Sequence, residues 1–192
     1  MSKHIILVAA ALVTLVAGFG GYVVGSNQTP AAGNHLMSGG GMMSGNIDSG
    51  FIEQMIPHHE GAVAMAKIVL KRSKRPEMIE LANNIIKAQE KEIADMRGWY
   101  QSWYGTAVQA TGGMGMHMGG MTGDVDVLQS VSATDFDREF INEMIPHHEM
   151  AVMMARMLAA GTNRVEMKQL ASNIITSQSS EIEMMRGWLK SW

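Results

Sequence analysis

The sequence contains no cysteine, so the protein has neither a disulfide bond nor a thiolate metal ligand. Its 192 residues carry a net charge of −3, and no helix-length stripe of basic residues occurs. Nucleic acid is therefore a poor candidate partner, because surfaces that bind it are strongly positive. A soft metal ion held by this chain would need thioether or imidazole ligands instead.

Several catalytic signatures are also missing. The H-E-x-x-H motif of zinc peptidases is absent, as are the G-x-S-x-G nucleophile and a phosphate-binding glycine loop. The Glu-x-x-His spacing of carboxylate di-iron bundles does not occur either. We therefore predict a binding protein and not an enzyme, and keep a di-iron-like redox enzyme on a four-helix bundle as the alternative.

The N-terminal segment is a targeting candidate. Lys3 is followed by an uncharged run from Ile5 to Gly25. The apolar region of a signal peptide usually has roughly 7–15 residues and a membrane span about 20. The length of this run is therefore closer to that of a membrane anchor. We expect residues 1–25 to form an apolar helix that is a signal anchor or a signal peptide, with the anchor favoured. Lys3 keeps the N-terminus inside, which places the rest in the periplasm, exported or attached to the inner membrane.

The hexapeptide MIPHHE occurs at residues 55–60 and again at 144–149. The longer segments 51–103 and 140–192 align without a gap, and more than half of their aligned positions are identical. Internal repetition of this length indicates one supersecondary unit made twice.

Each unit has the apolar periodicity of two helices, and neither hairpin can bury its apolar face alone. We therefore predict an all-α protein, a ferritin-like four-helix bundle built from two duplicated hairpins. Two Gly/Met-rich segments are too poor in apolar residues to form a core. The expected boundaries are 26–47 for the first linker, 48–103 for the first hairpin, 104–134 for the second linker and 135–192 for the second hairpin.

Pro57 and Pro146 lie within the first helix of each unit, where proline costs about 3 kcal/mol. Either the helix begins at the proline, or one helix runs through it with a kink. We expect the second arrangement, with Asp48 or Ser49 as the N-cap of the first unit.

The paired histidines are the first candidate ligands. A single histidine on an apolar face is usually a core residue with a hydrogen-bond partner, but four histidines with the same flanking methionines favour metal binding. Gln89 and Glu92 recur as Gln178 and Glu181 on the apolar side of the second helix. A buried carboxylate needs a partner, and a histidine of the facing helix is the obvious one. This contact between glutamate and histidine either fixes the register of the hairpin or orients a metal-bound imidazole.

The 20 methionines divide into two groups. Met78, Met96, Met167 and Met185 lie on apolar stripes and are expected to fill the core. Those in the glycine-rich segments have nothing to pack against, and the stretch MGMHMGGM adds one imidazole. Thioether sulfur selects Cu(I), or its analogue Ag(I), over harder ions.

The repeated Phe, MIPHHE, Ala-Val and later Gln, Glu-Ile, Met and Trp resemble the bacterial family of unknown function numbered 305. That resemblance implies a ferritin-like four-helix bundle, binding of Cu(I) and Ag(I), a role in copper tolerance, and copper efflux or chaperone proteins as possible partners. By position it implies ligands at Met55, His58, His59, Met144, His147 and His148. With the candidates from the residues themselves, the predicted set also contains Met65, Met150 and Met154, and Met114, Met116, His117, Met118 and Met121 of the second linker.

Imidazole binds a metal only when it is neutral, so we expect affinity to fall as the pH drops below about 6.5. A flat profile would indicate sites made of thioethers alone.

The two units differ at one informative position, where Met150 replaces Gly61. On a helix His147, Met150 and Met154 share one side, so the second unit should hold a soft ion better. Replacing Met150 with glycine should therefore weaken Cu(I) binding by that unit, as measured by anaerobic titration. An unchanged titration curve would contradict the assignment of Met150.

Overall fold

The computed structural model describes residues 46–108 and 125–192. The expected apolar segment 1–25 lies outside this part, as does most of each Gly/Met-rich linker. None of the helices in the described part is long and apolar enough to cross a membrane. Within it the helices are α1 (Ile47–Arg72), α2 (Pro76–Tyr104), α3 (Val125–Ser130), α4 (Phe136–Gly161) and α5 (Val165–Ser191).

The long helices of each repeat run through their prolines without a break, at Pro57 in α1 and Pro146 in α4. A helix beginning at either proline is therefore excluded. The expected N-cap of α1 was wrong: Asn46 caps the helix by accepting a hydrogen bond from the backbone N–H of Asp48 at 3.0 Å. Asn46 is a favoured capping residue, but it stands at the end of a glycine-rich segment that gave no helical signal.

The architecture is an all-α bundle of two hairpins, as predicted. Helix α1 packs on α2 and α4 packs on α5, and the two hairpins meet along α1 and α4. The N-terminal half of α1 shares a hydrophobic cluster with the C-terminal half of α4, so these two helices run antiparallel.

Two hydrophobic clusters, each built from both hairpins, make up the core. The predicted core methionines Met78, Met96, Met167 and Met185 are fully buried in them. Cluster A contains Ala62, Met65, Ala66, Val69, Met78, Leu81, Ala82, Ile85, Leu128, Phe136, Phe140, Ile141, Met144 and Met185. Cluster B contains Phe51, Ile52, Met55, Ile56, Ile93, Met96, Ala151, Ala155, Leu158, Met167, Leu170, Ala171 and Ile174.

Helix α3 was not expected, because it lies within the predicted linker 104–134. Leu128 of α3 is fully buried in cluster A. The guanidinium of Arg72, at the end of α1, donates hydrogen bonds to the backbone carbonyls of Leu128 and Val131 and lies 4.5 Å from the centre of the Phe136 ring. A segment this short has too little periodicity to be recognised without these contacts.

Two reciprocal clamps join the hairpins at opposite ends. Arg75, in the turn of the first hairpin, pairs with Asp137 of α4 at 3.2 Å and lies 4.1 Å above the Trp192 ring. Arg164, in the turn of the second hairpin, pairs with Asp48 of α1 at 3.2 Å and lies 3.9 Å above the Trp103 ring. Each clamp combines an ion pair with a cation–π contact and links the repeats across the bundle.

Replacing Arg164 with methionine should lower the free energy of unfolding by about 1–3 kcal/mol, because the buried Asp48 carboxylate would lose its counter-ion. Urea unfolding monitored by circular dichroism measures this change. The control is Arg97→Met, which removes the exposed partner of Glu60 and should cost no more than about 1 kcal/mol. Equal effects of the two substitutions would show that the clamp adds nothing beyond a surface ion pair.

Candidate metal centre

A layer of four histidines separates the two hydrophobic clusters. His58 and His59 project from the middle of α1, and His147 and His148 from the middle of α4. All four side chains are buried, with at most 3 % of their surface exposed. The apolar residues above and below the layer therefore shield the imidazoles from bulk water.

The inner rings, His58 and His147, touch each other across the interface between the hairpins. Their centroids are 3.7 Å apart and their planes are inclined by 38°. The outer rings lie farther away, with centroid distances of 6.2 Å between His58 and His59 and 6.3 Å between His147 and His148. The antiparallel crossing of α1 and α4 thus converts two sequence motifs into one cluster of four imidazoles.

Each outer histidine is held by a glutamate of its own hairpin. The Nε2 atom of His59 is 2.7 Å from a carboxylate oxygen of Glu92 in α2, and Nε2 of His148 is 2.7 Å from that of Glu181 in α5. These are the contacts expected from the positions of the two glutamates. Because a carboxylate accepts a hydrogen bond from Nε2–H, the ring nitrogen that can offer a lone pair to a ligand is Nδ1.

The remaining ring nitrogens have no hydrogen-bond partner among the described residues. This group consists of the two ring nitrogens of His58, the two of His147, and Nδ1 of His59 and of His148. The side-chain oxygens of the buried Gln89 and Gln178, one turn before the glutamates, are unpartnered as well. Buried polar atoms are nearly always paired, since an unpaired one costs about 1–3 kcal/mol. These unpaired nitrogens and oxygens are the atoms of the cluster that could bind a ligand.

The electrostatic environment keeps the inner imidazoles neutral. Burial, followed by repulsion from neighbouring imidazoles, lowers the pKa of His58 from 6.5 to about 3. The same causes lower the pKa of His147 to about 2. The expectation that protonation weakens metal binding below about 6.5 is therefore wrong for these two rings: in the folded protein they remain neutral to much lower pH.

The predicted thioether ligands divide by position. Met55 is fully buried in cluster B, and Met65 and Met144 are fully buried in cluster A. Met150 and Met154 are half-buried on α4. Their role as ligands stays a prediction. The linker candidates Met114, Met116, His117, Met118 and Met121 lie outside the described residues.

The sequence patterns did not reveal the contact between His58 and His147. Helical periodicity placed His59 near the centre of the apolar face and His58 at its edge, where a solvated ring was one of the expectations. The edge position is instead buried, because the second hairpin covers it. Only the duplication hinted at this arrangement, since two equal units tend to pack about a two-fold axis.

No group of three or more His, Asp or Glu side chains that would hold a metal ion occurs within residues 46–108 and 125–192. Hard ions and carboxylate di-iron centres need several oxygen donors. The histidine layer offers imidazole nitrogens instead, with carboxylates placed behind the outer rings. Such a donor set suits a soft or borderline ion that is stable with few ligands.

Fold and site together define a duplicated four-helix bundle built around a buried histidine layer. The chain belongs to the family described as "Domain of unknown function (DUF305)", whose model matches residues 48–189.

Among solved structures the chain is similar to CopM, which is known in apo, Cu(I)-bound, Cu(II)-bound and Ag-bound forms. The Cu(II)-bound form is 48% identical, with a TM-score of 0.71, over 76% of this chain and 97% of CopM. The Cu(I)-bound form is 46% identical, with a TM-score of 0.67, over 76% of this chain and 96% of CopM. This similarity indicates a copper-related protein.

Two further relatives are more distant. A DUF305 fragment from Deinococcus radiodurans is 25% identical, with a TM-score of 0.65, over 76% of this chain and 97% of that structure. The uncharacterized protein L153 of Acanthamoeba polyphaga mimivirus is 43% identical over 53 residues. That match spans 28% of this chain and 35% of the viral protein.

The lowered pKa values predict a loss of stability in acid. In the unfolded chain a histidine takes up a proton near pH 6.5, whereas His58 and His147 in the folded protein stay neutral until about pH 3 and about pH 2. The unfolded state therefore binds more protons, and the free energy of unfolding falls as the pH drops below 6.5, by up to about 1.4 kcal/mol per pH unit for each ring. Urea unfolding of the metal-free protein between pH 7 and pH 4.5 measures this slope. The double variant His58→Leu/His147→Leu should flatten it; an unchanged slope would contradict the assignment.

Proposed function

We propose that this protein is an exported copper-binding protein that holds Cu(I), and Ag(I) as its analogue, at the histidine layer. The observation that carries the proposal is a set of six buried ring nitrogens that have no hydrogen-bond partner within the described part of the chain: both nitrogens of His58 and of His147, and Nδ1 of His59 and of His148. A metal ion bound to two of these nitrogens would take their lone pairs and remove the cost of burying those two atoms unpaired. The similarity to a protein with Cu(I)-bound and Ag-bound structures supports the same ion.

The donor chemistry favours the monovalent ion. Imidazole and thioether groups are uncharged, so a buried site made of them carries only the charge of the ion itself, and a single charge is the least costly to bury. Glu92 and Glu181 lie behind the outer rings, where they would orient His59 and His148 and increase their basicity. Each carboxylate would also offset part of the positive charge of the bound ion.

We propose further that the protein binds and passes on copper and is not an enzyme. What argues against the di-iron alternative is the shortage of carboxylates at the centre: Glu92 and Glu181 each belong to one histidine pair, and no third acidic side chain joins them within the described residues. A redox centre that activates oxygen needs several such ligands and open positions.

The biological setting that fits is copper tolerance in the periplasm. The apolar segment 1–25 supports export, and it would attach the protein to the inner membrane if it is not cleaved. The Gly/Met-rich linkers supply additional thioethers that would capture ions. Copper efflux or chaperone proteins are the partners that such a role requires.

Anaerobic competition titration with a Cu(I) chelator tests the central site. The double variant His58→Leu/His147→Leu should lose the tightest binding step, because the two inner imidazoles are its predicted donors. The matched control is Met78→Leu/Met167→Leu, which removes two fully buried core thioethers at equivalent positions of the two repeats. This control should retain the wild-type curve.

A preference for Fe(II) over Cu(I) in the same experiment would favour the enzyme alternative. Equal titration curves for the wild-type protein and the histidine variant would remove the proposal for this site.

A further inference from the structure

The outer surface of the second hairpin carries methionines that the core does not use. Met153 is 54 % exposed and Met157 is 47 % exposed, one turn apart on α4. They line a groove of about 490 Å³ between α4 and α5, which also contains Glu149, Arg156, Glu183 and Arg186. Since residues four apart on a helix are neighbours, both thioethers face the same space.

The first hairpin contains the same groove without the methionines. A groove of about 440 Å³ between α1 and α2 is lined by Glu60, Val63, Ala64, Lys67 and Arg97 at the corresponding positions. Ala64 replaces Met153, and Ile68 replaces Met157. Acidic and basic side chains are balanced in both grooves, since Glu60 and Glu90 accompany Lys67 and Arg97 in the first one. Thioether sulfur is therefore the donor for a soft ion that the second groove has and the first lacks. The fold does not require methionine here, because the first repeat forms the groove without it.

The methionines of α4 also form a graded series from solvent to the histidine layer. On the helix surface Met153 is three residues from Met150, Met157 is three residues from Met154, and Met150 is three residues from His147, so neighbouring side chains connect the exposed methionines with the histidine layer. Exposure falls along this series: Met153 and Met157 are exposed, Met150 and Met154 are half-buried, and His147 is buried. In the first repeat only Met65 stands at a corresponding position, and it is fully buried.

We propose that Met153 and Met157 form a second, solvent-facing site for a monovalent soft metal ion, from which Met150 and Met154 lead to His147. The inference rests on the proposed function, because it names the route by which an ion reaches the buried imidazoles. The step is ligand exchange: one metal–sulfur bond breaks as the next metal–ligand bond forms, the charge of the ion stays +1, and no proton is released because thioethers do not titrate. Among the described residues this route occurs on the second hairpin and not on the first, so the second hairpin is the one through which the ion enters.

The experiment is a titration of the full chain, labelled with ¹³C-methyl methionine and ¹⁵N-histidine, with diamagnetic Ag(I) followed by NMR. The methyl signals of Met153 and Met157 should shift together within the first equivalents, while the imidazole signals of His58 and His147 report the central site separately. Met184, which is 39 % exposed on α5 outside the groove, serves as a single-thioether control, and its signal should shift less.

Three variants sharpen the test. Met153→Leu/Met157→Leu keeps the apolar volume, removes both sulfurs and should slow the appearance of the shifted imidazole signals, whereas Met184→Leu should leave it unchanged. Adding Ala64→Met and Ile68→Met to the slow variant should create the site on the first hairpin and restore early methyl shifts there.

The possible results separate the two proposals. If the imidazoles shift but Met153 and Met157 do not, the outer site is overturned and the central site stands. If the two methyls shift but the double leucine variant loads the histidines at the wild-type rate, the passage to His147 is overturned. If neither group responds to Ag(I), the outer site and the proposed function both fail.

Discussion

The contact between His58 and His147 lies at the point where the two hairpins meet, and the remaining structure is arranged around it. Two polar rings at the centre of an apolar bundle fix the register of α1 against α4, because any shift along the helices would place the imidazoles among aliphatic side chains. Each outer ring then reaches the glutamate of its own hairpin. The clusters on either side close the layer off, and this burial keeps the inner rings unprotonated. One packing constraint thus sets both the fold and the donor chemistry.

Some features of the structure occur in both repeats, and others differ between them. The histidine layer, the glutamates and the Arg–Asp–Trp clamps occur in both repeats and hold the bundle together. Among the residues that the structure describes, the features found in one repeat and not in the other lie at the periphery. Helix α3 is anchored by Arg72, whose counterpart is Gly161. At Gly161 a Cβ atom would meet the side chain of Ile47 at 2.5 Å, so the second repeat has no room for an equivalent anchor unless Ile47 moves.

Much of the bundle could be predicted from local patterns. Apolar periodicity located the four long helices, and the gapless repeat indicated two equal hairpins. The position of Glu92 on the apolar side of α2 predicted its contact with a histidine, because a buried carboxylate needs a partner. Patterns of this kind contain no information about which surfaces of two hairpins will meet. For that reason the clamps, α3 and the burial of His58 were not predicted: each depends on residues that are distant in the chain.

The sequence by itself determined the classes of donor, since an absence of cysteine and an excess of methionine and paired histidine leave only imidazole and thioether for a soft ion. It also determined the helices, because hydrophobic periodicity is a local property. The tertiary structure alone decided that the two His-His pairs form one cluster and that the inner rings have strongly lowered pKa values. Both results arise from the antiparallel crossing of α1 and α4, which removes water from four side chains at once, and desolvation depends on what covers a residue and not on the residue itself.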